Sequence, residues 1–273
     1  MLKKRINWLY IYLVIYLIFL YLPMFLLPMF AFNDATTIAF PLKGFTFKWF
    51  TLLPEIDAMI QSVYNSLIIA IATSIIATTL GMCAARAWAR YQFPGKSGII
   101  GLIMIPLVLP EIVVAVSLLV VLLSFGITLN LWTIVLGHVL IATPFCTAIL
   151  TSAFLNLDES LEEASLDLGE TRFTTFRLVV LPLVTPGIIA SLIIAFMISL
   201  DEFIIAFFLT GTEPTLPVYL YSQLRFPAKL PIVMSLGTIL LMLSLILVTT
   251  AEYFRRRGIH KSSLDQKNIG GAL

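Results

Sequence analysis

LEEASLDLGETRFTTFRLVVLP, residues Leu161–Pro182, is the most charged stretch of a 273-residue chain whose other long runs are almost wholly apolar. Leu161, Ala164, Ser165 and Leu168 recur at i, i+3, i+4 and i+7, the spacing of one face of a short helix. That face is narrow and weakly apolar. Asp158, Glu159, Glu162 and Glu163 crowd its first turns, where the helix dipole favours anions. Gly169 stands where a helix-ending glycine accepts a left-handed backbone. The spacing predicts a second helical piece from about Thr171. The Leu181-Pro182 and Thr185-Pro186 pairs are expected to end it, since proline pushes the residue before it out of helical geometry. A helix with so little apolar surface cannot anchor itself in lipid, so another protein is expected to hold it.

On both sides of this stretch the chain is built for a bilayer. Sixty per cent of residues are hydrophobic and 12% charged, with a mean hydropathy of +1.02; soluble domains carry about 25% charged residues. Apolar runs at about 8–32, 63–86, 98–124, 131–154, 186–209 and 231–254 each approach the ~20 residues a bilayer requires. The expected fold class is therefore all-α, a polytopic membrane protein of six transmembrane helices; nothing shows the alternation of a barrel. The run after Lys3-Lys4-Arg5 is too long for a signal peptide and reads as a retained first span. With the N-terminus inside, thirteen lysines and arginines fall inside, and four, Lys43, Lys48, Arg225 and Lys229, fall outside. The N-terminus, residues 87–97, residues 155–185 and the C-terminus are thus expected in the cytoplasm. Residues 1–61 form a first span and external loop, residues 62–254 the main transmembrane domain with the loop 155–185, and residues 255–273 a cytoplasmic tail. Cys83 and Cys146 read as small buried apolar residues, neither a disulfide nor a metal pair.

Glu163-Ala164-Ser165, then three residues, Gly169, nine residues, and Val179-Val180-Leu181-Pro182 resemble the EAA signature of bacterial binding-protein-dependent ABC-importer permeases. The family pattern is E-A-A, three residues, G, nine residues, I-x-L-P. Ser165 replaces its second alanine and Val179 its isoleucine, both small or isosteric changes. Further likenesses, to the spermidine/putrescine branch, are GFTFKWF (Gly44–Phe50), PLVLPEIVVAVSLL (Pro106–Leu119), SLDEF (Ser199–Phe203) and TLPVYLYSQLRFP (Thr215–Pro227). The resemblance implies a type I importer permease fold. It makes residues 155–185 a coupling loop, with Glu163, Ala164, Ser165, Gly169, Leu181 and Pro182 serving the ATPase contact. The implied partners are a dimer of ATPase subunits (which bind the ATP and Mg), a second permease subunit (similar or identical), an external binding protein and membrane lipid. No cofactor in this chain and no nucleic acid are expected. The implied place is the bacterial inner membrane.

No catalytic constellation competes with this reading. Gly95-Lys96-Ser97 imitates a nucleotide-binding loop, but the first glycine of that pattern falls on Arg90. Chemistry concentrates instead in charges within the apolar runs. Glu111, after Pro106 and Pro110, lies part-way along the third span; Asp201 and Glu202 lie in the fifth, with no lysine or arginine within any span to neutralise them. Charge inside a membrane costs about 2.5–3.5 kcal/mol per residue on insertion scales, and such groups usually face a wet cavity. They are candidates for a cation-selective substrate path, or are protonated or backbone-bonded for structural reasons. Phe203, Phe207, Phe208, Tyr219, Tyr221 and Trp132 cluster toward the outer face as belt residues or as a cation-holding surface. His138 is either a buried histidine bonded to a neighbouring helix backbone or part of a proton relay. Other cargoes on the same scaffold (an opine, sugar, sulfate, thiamine or metal) stay open. An ATP-independent carrier would commonly show internal repeats and would lack the EAA loop.

Overall fold

The computed structural model describes residues 8–270, with side chains placed as far as Thr250 and again at Glu252 and Tyr253. The basic residues at 3–5 lie outside the described residues, and those from 255 onward outside the described side chains. Among the described residues the regular structure is helical apart from one bridge between Asn33 and Phe45. In chain order come α1 (Trp8–Ala31), α2 (Lys48–Leu52), α3 (Asp57–Arg90), α4 (Lys96–Met104), α5 (Glu111–Ser124) and α6 (Leu131–Leu155). The remainder are α7 (Glu159–Asp167), α8 (Arg172–Thr175), α9 (Leu181–Asp201), α10 (Ile204–Leu209), α11 (Leu216–Gln223) and α12 (Leu230–Gly270).

Six spans result if one broken helix is counted. Trp8–Ala31, Asp57–Arg90, Leu131–Leu155, Arg172–Asp201 and Pro227–Thr250 are each long and apolar enough to cross a bilayer. The expected third span is instead two helices, Lys96–Leu107 and Glu111–Ser124, meeting at 103°. Proline explains the break: Pro106 opens a 3-10 turn at Ile105–Leu107, and Pro110, with ψ 130°, lacks the N–H that would continue the ladder. The fifth span corrects the sequence reading at both ends. The helix from Arg172 does not stop at Pro182 or Pro186 but runs through both, and ahead of Pro182 Phe176–Val180 widen into a π-helical turn. A π-turn absorbs an extra residue and relieves the register into which Pro182 would otherwise clash. At its far end the span stops at Asp201, where Glu202 turns extended with ψ 120°.

The chain divides into two compact units, residues 8–60 with 220–243, and residues 61–219 with 244–270. In the first, α1 is exposed along nearly its whole length, as a helix facing lipid would be. The GFTFKWF segment folds back on the end of α1: Asn33 Oδ1 accepts from the Lys43 N–H at 2.9 Å and Trp49 Nε1 donates to the Asn33 carbonyl at 2.8 Å. Phe32 stacks on Phe45 and Phe50 at 5.1 and 4.8 Å between ring centroids.

In the second unit α6 is the central element, burying twelve of its residues against its neighbours. Gly81 of α3 lies against the backbone of Cys146, and Ala77 clusters with Ala142, Cys146 and Ala195. Such small-residue contacts let backbones approach where no hydrophobic drive separates protein from lipid. α9 runs antiparallel beside α6: Ser199 meets His138, whose Nδ1 is 2.7 Å from Ser199 Oγ, and Ser191 meets Thr78 at 3.4 Å between hydroxyls. His138 is fully buried, as one of its two sequence readings held, but its bond to the neighbouring helix is to the Ser199 side chain and not to the backbone that reading expected. Cys146 is buried as expected; Cys83, also expected to be buried, is exposed.

Candidate functional site

The loop after α6 builds itself from local chemistry. Asp158 accepts the Ser160 N–H at 2.9 Å and so caps α7; that hydrogen bond holds its carboxyl below the usual carboxylate range. Gly169 has φ +89°, with Glu170 N–H donating to the Ser165 carbonyl at 3.3 Å and Gly169 N–H to that of Leu166 at 2.9 Å. These paired bonds close the helix by the left-handed motif that the glycine foretold. Thr171 then caps α8 by accepting from Thr174 N–H at 3.2 Å, and the hydroxyls of Ser165 and Thr175 meet at 3.0 Å. The result is a helix–turn–helix hairpin continuous with the fifth span.

Two arginines from the end of α3 grip this hairpin. Arg86 makes a two-pronged contact with Glu162, Nη1–Oε1 at 3.0 Å and Nη2–Oε2 at 2.6 Å. Arg90 Nε reaches Glu162 Oε1 at 2.8 Å, its Nη1 reaches Glu159 at 2.8 Å and its Nη2 the Leu157 carbonyl at 2.8 Å. Burial pushes the Glu162 carboxyl upward, but hydrogen bonds and charge from Arg86 and Arg90 outweigh it and hold the group ionised, below the ordinary glutamate value. Arg86 also lies over the rings of Phe154 and Phe176, at 5.7 and 5.3 Å. Beside these residues opens a cavity of about 540 Å³, lined in part by Arg86, Tyr91, Glu162, Arg172 and Phe173.

The sequence residues separate into two groups here. Glu163, Ala164, Gly169 and Pro182 are exposed, whereas Ser165 and Leu181 are partly covered. Leu168 does not complete the expected apolar face: it lies beyond the end of α7 and is 86% exposed, as Phe173 is at 73%. The inward acid is Glu162, which sequence reasoning grouped with its neighbours. Its signal was present in the arginine pair at 86 and 90, one turn apart on α3.

The membrane acids gather at the two breaks. Glu111 opens α5 immediately after the 103° bend and is exposed. Asp201 ends α9, with Ser244 Oγ donating to it at 3.4 Å. Glu202 is buried in the gap before α10, where its Oε1 accepts the Ile205 N–H at 2.9 Å. Asp201 and Glu202 were expected within a continuous helix, either on a substrate path or protonated or backbone-bonded. They stand instead at its end: Glu202 meets a backbone N–H of the next helix start, as one of those readings had it, and Asp201 meets a hydroxyl. α5 and α10 pack together through Val114, Ala115, Ile205 and Ala206, which brings Glu111 within electrostatic reach of Glu202. Two helix N-termini therefore each carry an acid on neighbouring elements.

Gly95 has φ +78° at the start of α4, and Lys96 lies over the Trp88 ring at 4.7 Å. The nucleotide-loop imitation is thus a helix start with a cation on an aromatic face.

The chain as a whole is similar to known proteins. The spermidine/putrescine transport system permease protein PotC of Escherichia coli K12 is 34% identical over 87% of this chain and 90% of its own. The putrescine transport system permease protein PotI of the same organism is 33% identical over 87% and 86%. A bacterial ABC transporter that imports the acidic polysaccharide alginate superposes with a TM-score of 0.70 over 90% of this chain and 92% of its own, at 18% identity, which establishes the shared fold. Residues 77–258 match the family described as binding-protein-dependent transport system inner membrane component. The chain therefore belongs to that family, as a multi-pass permease subunit of an ABC importer and not as an enzyme.

Proposed function

We propose that this subunit carries small polyamines such as putrescine or spermidine inward across the bacterial inner membrane. An external binding protein delivers them, and ATPase subunits seated on the loop 155–185 drive the passage. A second permease subunit completes the pathway, so this chain supplies half of it. The observation carrying the cargo assignment is the set of acids at the breaks, Glu111, Asp201 and Glu202, in a chain whose relatives are named for polyamines. Acids at intermediate depth repel anions and attract ammonium groups more strongly than bulk water would allow. Spaced carboxylates suit a flexible di- or triamine, one ammonium passing from acid to acid. Binding on the way must stay weak for the cation to leave, so affinity resides in the binding protein.

Replacing Asp201 and Glu202 by Asn and Gln keeps shape and removes charge. Uptake of radiolabelled putrescine by cells expressing the complete importer should fall about tenfold, equal to about 1.4 kcal/mol of barrier, with normal assembly. Full-rate uptake by the double variant would make these acids structural and release the cargo from being a cation.

On the loop, Glu163, Ala164, Ser165 and Gly169 form the ATPase-facing surface, with Leu181 and Pro182 at the root of the span behind it. Both termini, residues 87–97 and residues 155–185 face the cytoplasm in this reading. In a Cys83→Ala background, a cysteine placed at Asp158 should react with an impermeant maleimide in inverted vesicles and not on intact cells. Labelling of intact cells would put the loop outside and remove the ATPase from it.

A further inference from the structure

We infer that Glu162, gripped by Arg86 and Arg90, is the positioning residue through which movement of the loop enters the membrane, by way of α3 and not only along the loop's own span. The inference rests on the reading of the loop as the ATPase-coupling element. A hairpin joined to α9 alone would transmit force through a π-turn, the point where that helix is least regular. The arginine grip supplies a second and stiffer route. Glu162 receives three charge-assisted hydrogen bonds from α3, at 3.0, 2.6 and 2.8 Å, and its side chain is only 13% exposed. Paired two-pronged bonds to a guanidinium fix direction as well as distance, which a single flexible contact does not.

Arg86 is also a junction. Its guanidinium touches Glu162 of α7, the ring of Phe154 in α6 and the ring of Phe176 at the root of α9. Five residues earlier on α3, Gly81 lies against the α6 backbone, and Gly187 of α9 lies against Ala153 of α6. Helices in such close contact cannot slide singly, because packed interfaces shift between discrete arrangements. Displacement of α7 therefore moves α3, α6 and α9 together. Glu159, 66% exposed and joined to Arg90, adds little to this. Glu163, next in sequence, is exposed and lines the cavity beside the grip together with Arg86, Arg90 and Glu162.

The test uses the whole importer in proteoliposomes, with three readouts: co-purified ATPase, ATP hydrolysis stimulated by the loaded binding protein, and uptake of labelled putrescine. Glu162→Gln should retain the ATPase, since the outward surface is untouched, but putrescine carried per ATP should fall tenfold or more. If Glu162→Gln does not accumulate, Arg86→Lys, which keeps the charge but loses the two-pronged bond, gives the same readout with a threefold or larger fall. A wild-type ratio in whichever of these variants assembles overturns the inference. Absence of ATPase from the wild-type complex would instead defeat the coupling reading. If wild-type importer carries no putrescine, the cargo assignment alone falls, and stimulation of ATP hydrolysis decides the grip: at least threefold reduced in the variants if it transmits, unchanged if it does not.

Discussion

Gly81→Leu should abolish the accumulation of folded protein. A Cβ at Gly81 would stand 2.6 Å from Cys146 Cβ and 2.9 Å from the Cys146 carbonyl carbon and the Thr147 nitrogen. Two of these three neighbours are backbone, so no rotamer change relieves the clash; α3 and α6 must separate. Separation pulls Ala77 from Ala142 and Thr78 from Ser191 and Cys146, the contacts that close the centre of the second unit. Overpacking of a tight interior typically costs about 1–3 kcal/mol, occasionally more, and here it adds to the lost contacts, against a total stability of about 5–15 kcal/mol. Size-exclusion profiles of detergent-solubilised fluorescent fusions should show aggregate or nothing. Gly101→Leu, where no atom lies within 4 Å of the added Cβ, should behave as wild type. A monodisperse Gly81→Leu protein would mean that α3 and α6 do not meet at this point.

Phe173→Asp should weaken capture of the ATPase about 30-fold while leaving the permease folded. Phe173 and Leu168 are 73% and 86% exposed on either side of the Gly169 turn, and neither belongs to a core cluster. Apolar side chains held on a water-facing turn contribute little to folding and much to a partner that desolvates them. Loss of a central aromatic anchor costs about 2 kcal/mol or more, which at 1.4 kcal/mol per decade is about 30-fold. The measurement is a titration of purified ATPase subunit against the permease in nanodiscs, with thermal stability of the permease as the control. An unchanged affinity would move the docking surface off the Leu168–Phe173 turn. Gly169→Val should act in the same direction by a different route. With φ +89° the position resists side chains at a cost of about 1 kcal/mol or more, so the turn carrying both apolar residues would be displaced.

The class of molecule was legible without any tertiary structure, because bilayer thickness is a one-dimensional constraint. An apolar run of the right length must span, and the span count read from 8–32, 63–86, 98–124, 131–154, 186–209 and 231–254 agrees with the structure once the broken third helix is counted as one. Gly169 was legible for a similar reason: a left-handed residue is a local matter, and glycine is its local solution. What only the tertiary structure decided are the consequences of partners distant in sequence. Pro182 and Pro186 looked like helix ends, yet a π-turn and packing against α6 carry the helix through them, since local preference yields to burial. Asp201 and Glu202 looked like charges within a span, and became a helix end and a gap because the N–H groups of α10 and the hydroxyl of Ser244 were there to meet them. Glu162 and Glu163 are adjacent and chemically alike. Which faces inward depends on where α3 delivers Arg86 and Arg90, a matter of helix packing, because a carboxylate turns toward whichever cations the fold brings within reach.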